Sequence, residues 1–441
     1  MNFIDRFMSV AGKIGNNRHL LAIRDALIGM IAITMIGSFA VLVNNLGQVI
    51  KPWGKLLTAI FGPNYTTLGG DIWFGTMAFI TVFAVFGIAN RLARSYGDDG
   101  FEAMFIAAAC FFLLLPQVAK VEGVKDGVWG LIGVGYLNST ALFTGIVVAL
   151  LSTEVFVRLS KVKYLVIKLP EGVPPAVARS FAKLLPGMGT IFIFGVVGLL
   201  FRKATGGEYF NDWLNAVLVA PMSKAVDSLP FAILLVLLVH LFWSFGLHGT
   251  NILAGITTPL FTKLGNENID LAAKHVTDLK QYSVLAGSFL DAFVYLGGAG
   301  ATLGLLIAMF IAGRKRHKQM LALGMPPGIF QINEPVLFGM PIVLNPMWII
   351  PFILTPVVTT IIAYLAVSWH WVYPVVANIP WVSPPIVGGW LATGGHISGA
   401  VLAGVNLIIS VVIYLPFVYA HAHIENKKLK AENSDSELKI S

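Results

Sequence analysis

The chain reads as an all-α polytopic membrane protein, and three observations carry that reading. Mean hydropathy is +0.79 and only 12% of the 441 residues are charged, against about 25% in soluble domains. Apolar runs recur at close to the roughly 20 residues that a helix needs to cross a bilayer. Finally, the net charge of +8 is gathered in short clusters that flank those runs, such as Arg314-Lys315-Arg316-His317-Lys318. Nucleic-acid binders spread basic residues over folded faces; flanking clusters set membrane orientation.

The elements follow in order. Residues 1–24 are polar and basic (Arg6, Lys13, Arg18, Arg24) and belong in the cytoplasm. They lack a short apolar core with a small-residue cleavage site, so no removed signal peptide is expected. Spans are expected at 26–46, 72–92, 101–118 and 138–157, with 120–130 external and Arg158, Lys161, Lys163 and Lys168 inside. In 168–185, Val177, Phe181, Leu184 and Leu185 share one face between Arg179 and Lys183. That is an interfacial amphipathic helix, either a surface linker or a hinge between two halves. Further spans are expected at 186–201 and 229–245, with an amphipathic piece at 208–227 between them.

After residue 245 the pattern breaks up. Residues 246–258 are apolar but interrupted by Gly246, Gly249 and Gly255, 266–280 are polar, and 283–312 hold a half-length piece and then a span. Spans at 348–366 and 398–420 flank a Trp-, Pro- and Gly-rich stretch, 368–395, that reads as partly re-entrant. The tail from Glu425 is charged and poor in aromatics, hence expected to be disordered. Orderly spans in 1–205 read as scaffold, and broken ones in 206–425 as the site, followed by the tail at 426–441. No clear internal repeat is seen.

The segment Gly324–Pro346, GMPPGIFQINEPVLFGMPIVLNP, holds the sharpest signal. Glu334 is the only Asp, Glu, Lys or Arg between Lys318 and Glu425. An ionised side chain near a bilayer centre costs about 2.5–3.5 kcal/mol on insertion scales. The prolines and glycines around it cannot lie in one straight helix. A broken hairpin at membrane depth requires surrounding protein or a wet cavity, and such a hairpin bearing an acid is a usual transport-site design. Asn333 adds an amide beside it.

His248 lies between Gly246 and Gly249 at a span end, with no Asp, Glu, Lys or Arg between Asp227 and Lys263. It reads as a pocket-lining group, because intramembrane ionisable residues pair or mark pathways, or else as a satisfied buried histidine. His240, inside a regular helix, reads as the latter. Asp291 is the only charged residue between Lys280 and Arg314 and is a candidate for structural pairing or pocket lining. Gly297-Gly298-Ala299-Gly300 fails as a dinucleotide motif because Leu303 stands at the third glycine position. Its glycines read as packing first and site second, with Gly300 and Gly304 at the spacing for tight helix contact. Trp243, Phe338, Trp381 and Trp390 are candidates for stacking on a sugar, or for the interfacial belt. His396, after Gly394-Gly395, is a weaker candidate.

The one cysteine, Cys110, sits in an apolar run and reads as a small buried hydrophobe. No HExxH, CxxC or Walker pattern appears, so no cofactor and no metal are expected. The energy for pumping then comes from an ion gradient or a partner.

Gln331-Ile332-Asn333-Glu334-Pro335-Val336-Leu337-Phe338-Gly339-Met340-Pro341 resembles enzyme IIC, the membrane component of the bacterial phosphoenolpyruvate-dependent sugar phosphotransferase system, in its lactose/cellobiose/diacetylchitobiose family. The likeness extends through Lys13-Ile14-Gly15 with Arg18-His19-Leu20, Ile36-Gly37-Ser38-Phe39, Leu169-Pro170 to Ser180-Phe181, Gly246-Leu247-His248-Gly249, Leu296-Gly297-Gly298 to Leu303-Gly304, and Val412-Ile413-Tyr414-Leu415-Pro416-Phe417. The resemblance implies about ten transmembrane helices with two re-entrant hairpins, a homodimer built through the first half, and a sugar site in the second. It implies a β-linked disaccharide bound at Glu334 and His248, its 6-hydroxyl phosphorylated by a separate enzyme IIB supplied through IIA and HPr. It also implies a bacterial plasma membrane location with both termini cytoplasmic.

Two departures stand out. No soluble α/β segment carries a cysteine at a strand end, so the phosphoryl donor is expected on another chain. Asn138 and Ser139 make one span start unusually polar. The residues taken alone also admit an ion-coupled transporter with Glu334 and His248 as proton carriers, or a receptor without transport.

Overall fold

The computed structural model describes residues 13, 16–49, 51–119, 128–170, 172–313, 317–340 and 342–438. The expected basic clusters at Arg6 and at 314–316, and most of the expected external segment 120–130, lie outside these. The fold is mostly helical, and its only strands among the described residues are Val118–Ala119 and Val128–Trp129, paired antiparallel.

The helices are α1 Arg18–Gly29, α2 Ile31–Val49, α3 Lys51–Phe61, α4 Tyr65–Thr76, α5 Ile80–Ser95, α6 Phe101–Leu114, α7 Leu142–Ser160, α8 Pro175–Ala182, α9 Leu184–Ala204 and α10 Phe210–Leu214. A π-helical turn, Asn215–Val219, leads into α11 Ala220–Val226. Then come α12 Leu229–Ser244, α13 Gly249–Ala273, α14 Phe289–Phe293, α15 Thr302–Gly313, α16 Lys318–Ile329, α17 Glu334–Gly339, α18 Pro346–Ser368, α19 Pro385–Ala392 and α20 Ile397–Leu438.

Five helical stretches among the described residues are long and apolar enough to cross a membrane, or seven if each of two bent pairs is one span. The expected first span is one of these pairs, α1 and α2, bent by 44°, and α6 and α15 are shorter apolar helices.

Two expectations change. Residues 249–273 form one helix through Pro259, although Gly249, Gly255 and a polar end read as a break. Pro326 and Pro327 lie inside α16. Prolines are accommodated in membrane helices when neighbouring groups satisfy the freed backbone; the helix ends two residues after Pro327, whose carbonyl accepts from the N–H groups of Phe330 and Ile332 at 2.9 and 3.0 Å. In addition, α20 continues in helix through 426–438, where a disordered tail was expected. The Lys-, Glu- and Ala-containing sequence there has good helix propensity.

The chain divides into two compact units, 1–226 with 251–274, and 227–250 with 275–441. The first thus takes in 206–226 and 251–274, which the sequence placed in the second half. In the first unit α5 is the central helix, packed on α1, α6 and α7, with α9 against α6 and α7. Close contact explains a small residue on α7: a Cβ on Gly145 would stand 2.6 Å from the Thr81 Cγ2 of α5. Cys110 is fully buried in this core with Ile88 and Phe111, a small hydrophobe as read.

In the second unit α20 is the central helix, against α15, α18 and α19, while α12 packs on α18. Gly304 on α15 lies so close to α20 that its Cβ would meet Ser410 Oγ at 2.0 Å. Its expected packing role holds, whereas Gly300 lies in the turn before the helix.

Candidate functional site

All the sequence-derived site residues lie in the second unit, on helix ends, short helices and the loops between them. The break in the hairpin falls at Phe330–Asn333, between α16 and α17, and places Glu334 at the first position of α17 with Pro335 next. Proline is tolerated there because that N–H has no intrahelical partner. Glu334 is half-buried. Among the described residues none forms a hydrogen bond or ion pair with its carboxylate.

The hairpin returns to the end of α12. Leu344 donates its N–H to the Ser244 carbonyl at 2.9 Å, and a Cβ on Gly246 would touch Val343 at 3.4 Å. This brings the segment that follows Glu334 against the corner that carries Trp243 and His248. The two rings lie 4.3 Å apart, centroid to centroid, at 45°. His248 Nδ1 is 2.9 Å from Thr250 Oγ1. Trp243 is 4% exposed and its indole N–H has no partner among the described residues. Gly249 is obligatory for this corner, since a Cβ would stand 2.1 Å from the Val239 carbonyl oxygen.

Asn333 is buried, and its Nδ2 donates to the Ala299 carbonyl at 2.7 Å. Gln331 Nε2 donates to the carbonyls of Asp291 at 3.0 Å and Ser383 at 2.8 Å. The hairpin break is therefore stitched to the glycine turn, to α14 and to the lead-in of α19. Gly297 and Gly298 have φ of 93° and 96°, which L side chains rarely adopt. A Cβ on Gly298 would be 2.7 Å from Asn333 Cβ and from the Gln331 carbonyl oxygen. Gln331 and Ala301, at φ 64° and 51°, are non-glycine residues in the left-handed region, a strain that collects at functional sites.

The underside of the turn is fixed as well. His240 is fully buried: its Nδ1 donates to the Val236 carbonyl at 2.6 Å, and its Nε2 accepts from the Gly300 N–H at 2.8 Å. Both nitrogens are used, as expected of a satisfied core histidine. Tyr414 donates to the Gly300 carbonyl at 2.7 Å. Asn406 Nδ2 bridges the carbonyls of Phe293 and Thr359 at 2.9 and 3.1 Å.

The other candidates sit apart from these bonds. Asp291 is half-buried on α14 and its carboxylate has no hydrogen bond among the described residues. His396 stacks on Tyr373 at 3.9 Å and 10°. Trp381 is exposed on the loop before α19, and Phe338 is exposed on α17. Sequence reasoning missed Gln331, Asn406 and Tyr414. An amide within the apolar 397–423 span was the one available signal for Asn406.

Asp98, Asp99 and Glu102 gather their carboxylates in the first unit. Lys183 Nζ occupies their midst at 2.9, 3.1 and 2.8 Å, so an ammonium stands where a cation would bind.

Comparison with known proteins agrees with this architecture. Residues 24–356 match the family model described as phosphotransferase system, EIIC. The lichenan permease IIC component of Bacillus subtilis is 37% identical over 442 residues, covering 98% of this chain and 95% of that one. The cellobiose-specific EIIC component of Geobacillus stearothermophilus is 39% identical over 419 residues, covering 94% and 92%. The crystal structure of ChbC, the IIC component of the N,N'-diacetylchitobiose-specific phosphotransferase system, superposes with a TM-score of 0.89 at 35% identity, covering 98% and 99%. With its apolar helices, its broken Asn-Glu-Pro hairpin and these matches over nearly its whole length, the chain belongs to the EIIC family of phosphotransferase-system membrane permeases.

Proposed function

We propose that the chain binds a β-linked disaccharide of the cellobiose, diacetylchitobiose or lactose type in its second unit and presents the sugar 6-hydroxyl to a separate phosphocysteine enzyme IIB. The observation that carries the proposal is the unpaired Glu334 carboxylate on a hairpin tied back to the Trp243–His248 corner. A carboxylate accepts from two sugar hydroxyls, a histidine donates or accepts beside it, and an indole face covers the apolar face of a pyranose. Asp291, Trp381 and His396 are further candidates for sugar contact. The bonds made by Asn333, and the closeness of Gly297 and Gly298 to their neighbours, support positioning roles for these three.

Phosphoryl transfer makes its main demand on alignment of the attacking hydroxyl. We therefore assign Glu334 to hold the 6-hydroxyl first, and to draw its proton second. The hairpin at 324–346 and the stretch at 368–395 are the two segments we assign as re-entrant. The rest of the arrangement we take from the family: about ten spans, a homodimer through the first half, IIA and HPr upstream of IIB, and both termini cytoplasmic.

The test is the product. Radiolabelled disaccharide supplied outside proteoliposomes, with phosphorylated IIB inside, is expected to accumulate as the 6-phosphate. Unmodified sugar accumulating with an imposed proton gradient overturns the proposal in favour of ion coupling.

A further inference from the structure

Helices α2, α3 and α4 enclose an apolar groove of about 650 Å³. Ile36, Phe39, Val43, Leu57, Phe61 and Leu68 form most of its wall, and Ile36, Phe39, Phe61 and Leu68 are exposed. A second cavity, of about 570 Å³, lies along α3 and is lined by Lys51, Lys55, Thr58 and Tyr65. Tyr65 belongs to both. The helical repeat of α3 separates them: Leu57 and Phe61, four residues apart, line the apolar groove, while Lys51, Lys55 and Thr58 line the second cavity. Both lysines are exposed, and neither forms an ion pair among the described residues.

The sequence puts this arrangement at a membrane boundary. The basic residues before α1 place the start of the α1–α2 span near the cytoplasm, so α3 follows where the chain reaches the opposite surface. Trp53 on α3 is a residue type enriched at that level.

We propose that the groove and the lysine cavity together form a binding site for one anionic phospholipid, an acyl chain lying along α2 and α4 and the headgroup phosphate on Lys51 and Lys55. Hydrocarbon is the occupant that suits walls with almost no polar group, and an aqueous ligand gains nothing there. The two lysines select the charge of the headgroup, since each basic residue near an anionic lipid surface adds attraction. A second copy of the chain fits less well. A twofold interface brings the same patch from both partners, and no acid lines either cavity, so such a contact supplies no carboxylate to the lysines.

The experiment titrates the delipidated full chain in neutral detergent with phosphatidylglycerol or phosphatidylcholine of identical chains, reading bound lipid by native mass spectrometry. The chain is expected to take up the first phosphatidylglycerol more tightly than phosphatidylcholine. The double variant Lys51→Gln, Lys55→Gln is expected to lose roughly thirty-fold of that affinity, about fivefold per charge, while Lys51→Arg, Lys55→Arg retains it. Ala32→Trp, which fills the groove, is expected to weaken the first equivalent of both lipids. Glycerol phosphate, a headgroup without chains, is expected not to compete.

Equal binding of the two lipids overturns the proposal, as does an unchanged double Gln variant. Competition by glycerol phosphate at lipid-like concentrations reveals a soluble-anion site instead. An Ala32→Trp variant that loses a bound copy, and not a bound lipid, assigns the groove to an interface between chains. If Ala32→Trp fails to fold, the exposed lysine variants still decide the question.

Discussion

Gly298→Ala is the substitution whose cost is most directly read from the structure. Gly298 has φ of 96°, and a left-handed backbone costs an L residue about 1–2 kcal/mol. The new methyl would stand 2.7 Å from Asn333 Cβ, Asn333 Cγ and the Gln331 carbonyl oxygen. Those neighbours cannot simply retreat. Asn333 is held by its bond to Ala299, and Gln331 by its bonds to Asp291 and Ser383. Overpacking of this kind adds about 1–3 kcal/mol, for a total of about 2–5 kcal/mol.

Relief by moving Asn333 displaces Glu334, its chain neighbour. The variant is therefore expected to lose both thermal stability and sugar affinity in detergent. Gly404→Ala is the control, because nothing lies within 4 Å of its added methyl, and a helical Gly-to-Ala change is neutral or stabilising. A Gly298→Ala protein that melts and binds like the parent would refute the packing argument.

Three further outcomes are expected. His240→Leu removes the acceptor of the Gly300 N–H, leaving a buried donor unpaired at about 1–3 kcal/mol; the melting temperature should fall, and the double variant with Tyr414→Phe should show non-additive losses, since both residues bond Gly300. Asn406→Leu leaves two buried carbonyls, of Phe293 and Thr359, without that donor, and is expected to destabilise by a similar amount in the same melting assay.

The third concerns pH. Burial would raise the Asp99 pKa, but the Phe101 N–H and Lys183 hold it below the ordinary carboxylate value. Burial would lower the Lys183 pKa, but Glu102, Asp98 and Asp99 hold it above its ordinary value. A lowered Asp99 contributes stability that is present above about pH 4 and lost as pH falls through its folded value; a raised Lys183 contributes stability kept below about pH 10.4 and lost only above that. Stability from this cluster is therefore flat across neutral pH. Lys183→Met is expected to lower the melting temperature at pH 7 and to shrink the difference between pH 7 and pH 3.

Long apolar runs made most of the long helices legible in the sequence, and the lack of any other charged residue between Lys318 and Glu425 made Glu334 legible. The glycine turn was read as packing, and its geometry now shows why: Gly297 and Gly298 provide φ values and clearances that no other residue supplies. What escaped was polar stitching at long range. Gln331 reaches Asp291 forty residues away, and Tyr414 reaches Gly300 at a separation of 114; no local pattern encodes such partners. The continuity of α13 and α16 through their prolines also escaped, because it depends on how the surrounding chain satisfies freed carbonyls. The Asn333 amide is adjacent to the acid in sequence, yet it faces Ala299, so adjacency alone did not reveal its partner.

Equilibrium binding of labelled disaccharide to the purified chain and to Glu334→Gln, measured beside transfer from phosphorylated IIB, decides what Glu334 does. Loss of a charge-assisted bond of about 1.5–3 kcal/mol predicts that binding weakens ten- to a hundred-fold and that transfer falls by about as much. Binding left intact while transfer vanishes would contradict a positioning role, and binding and transfer both left intact would remove Glu334 from the site.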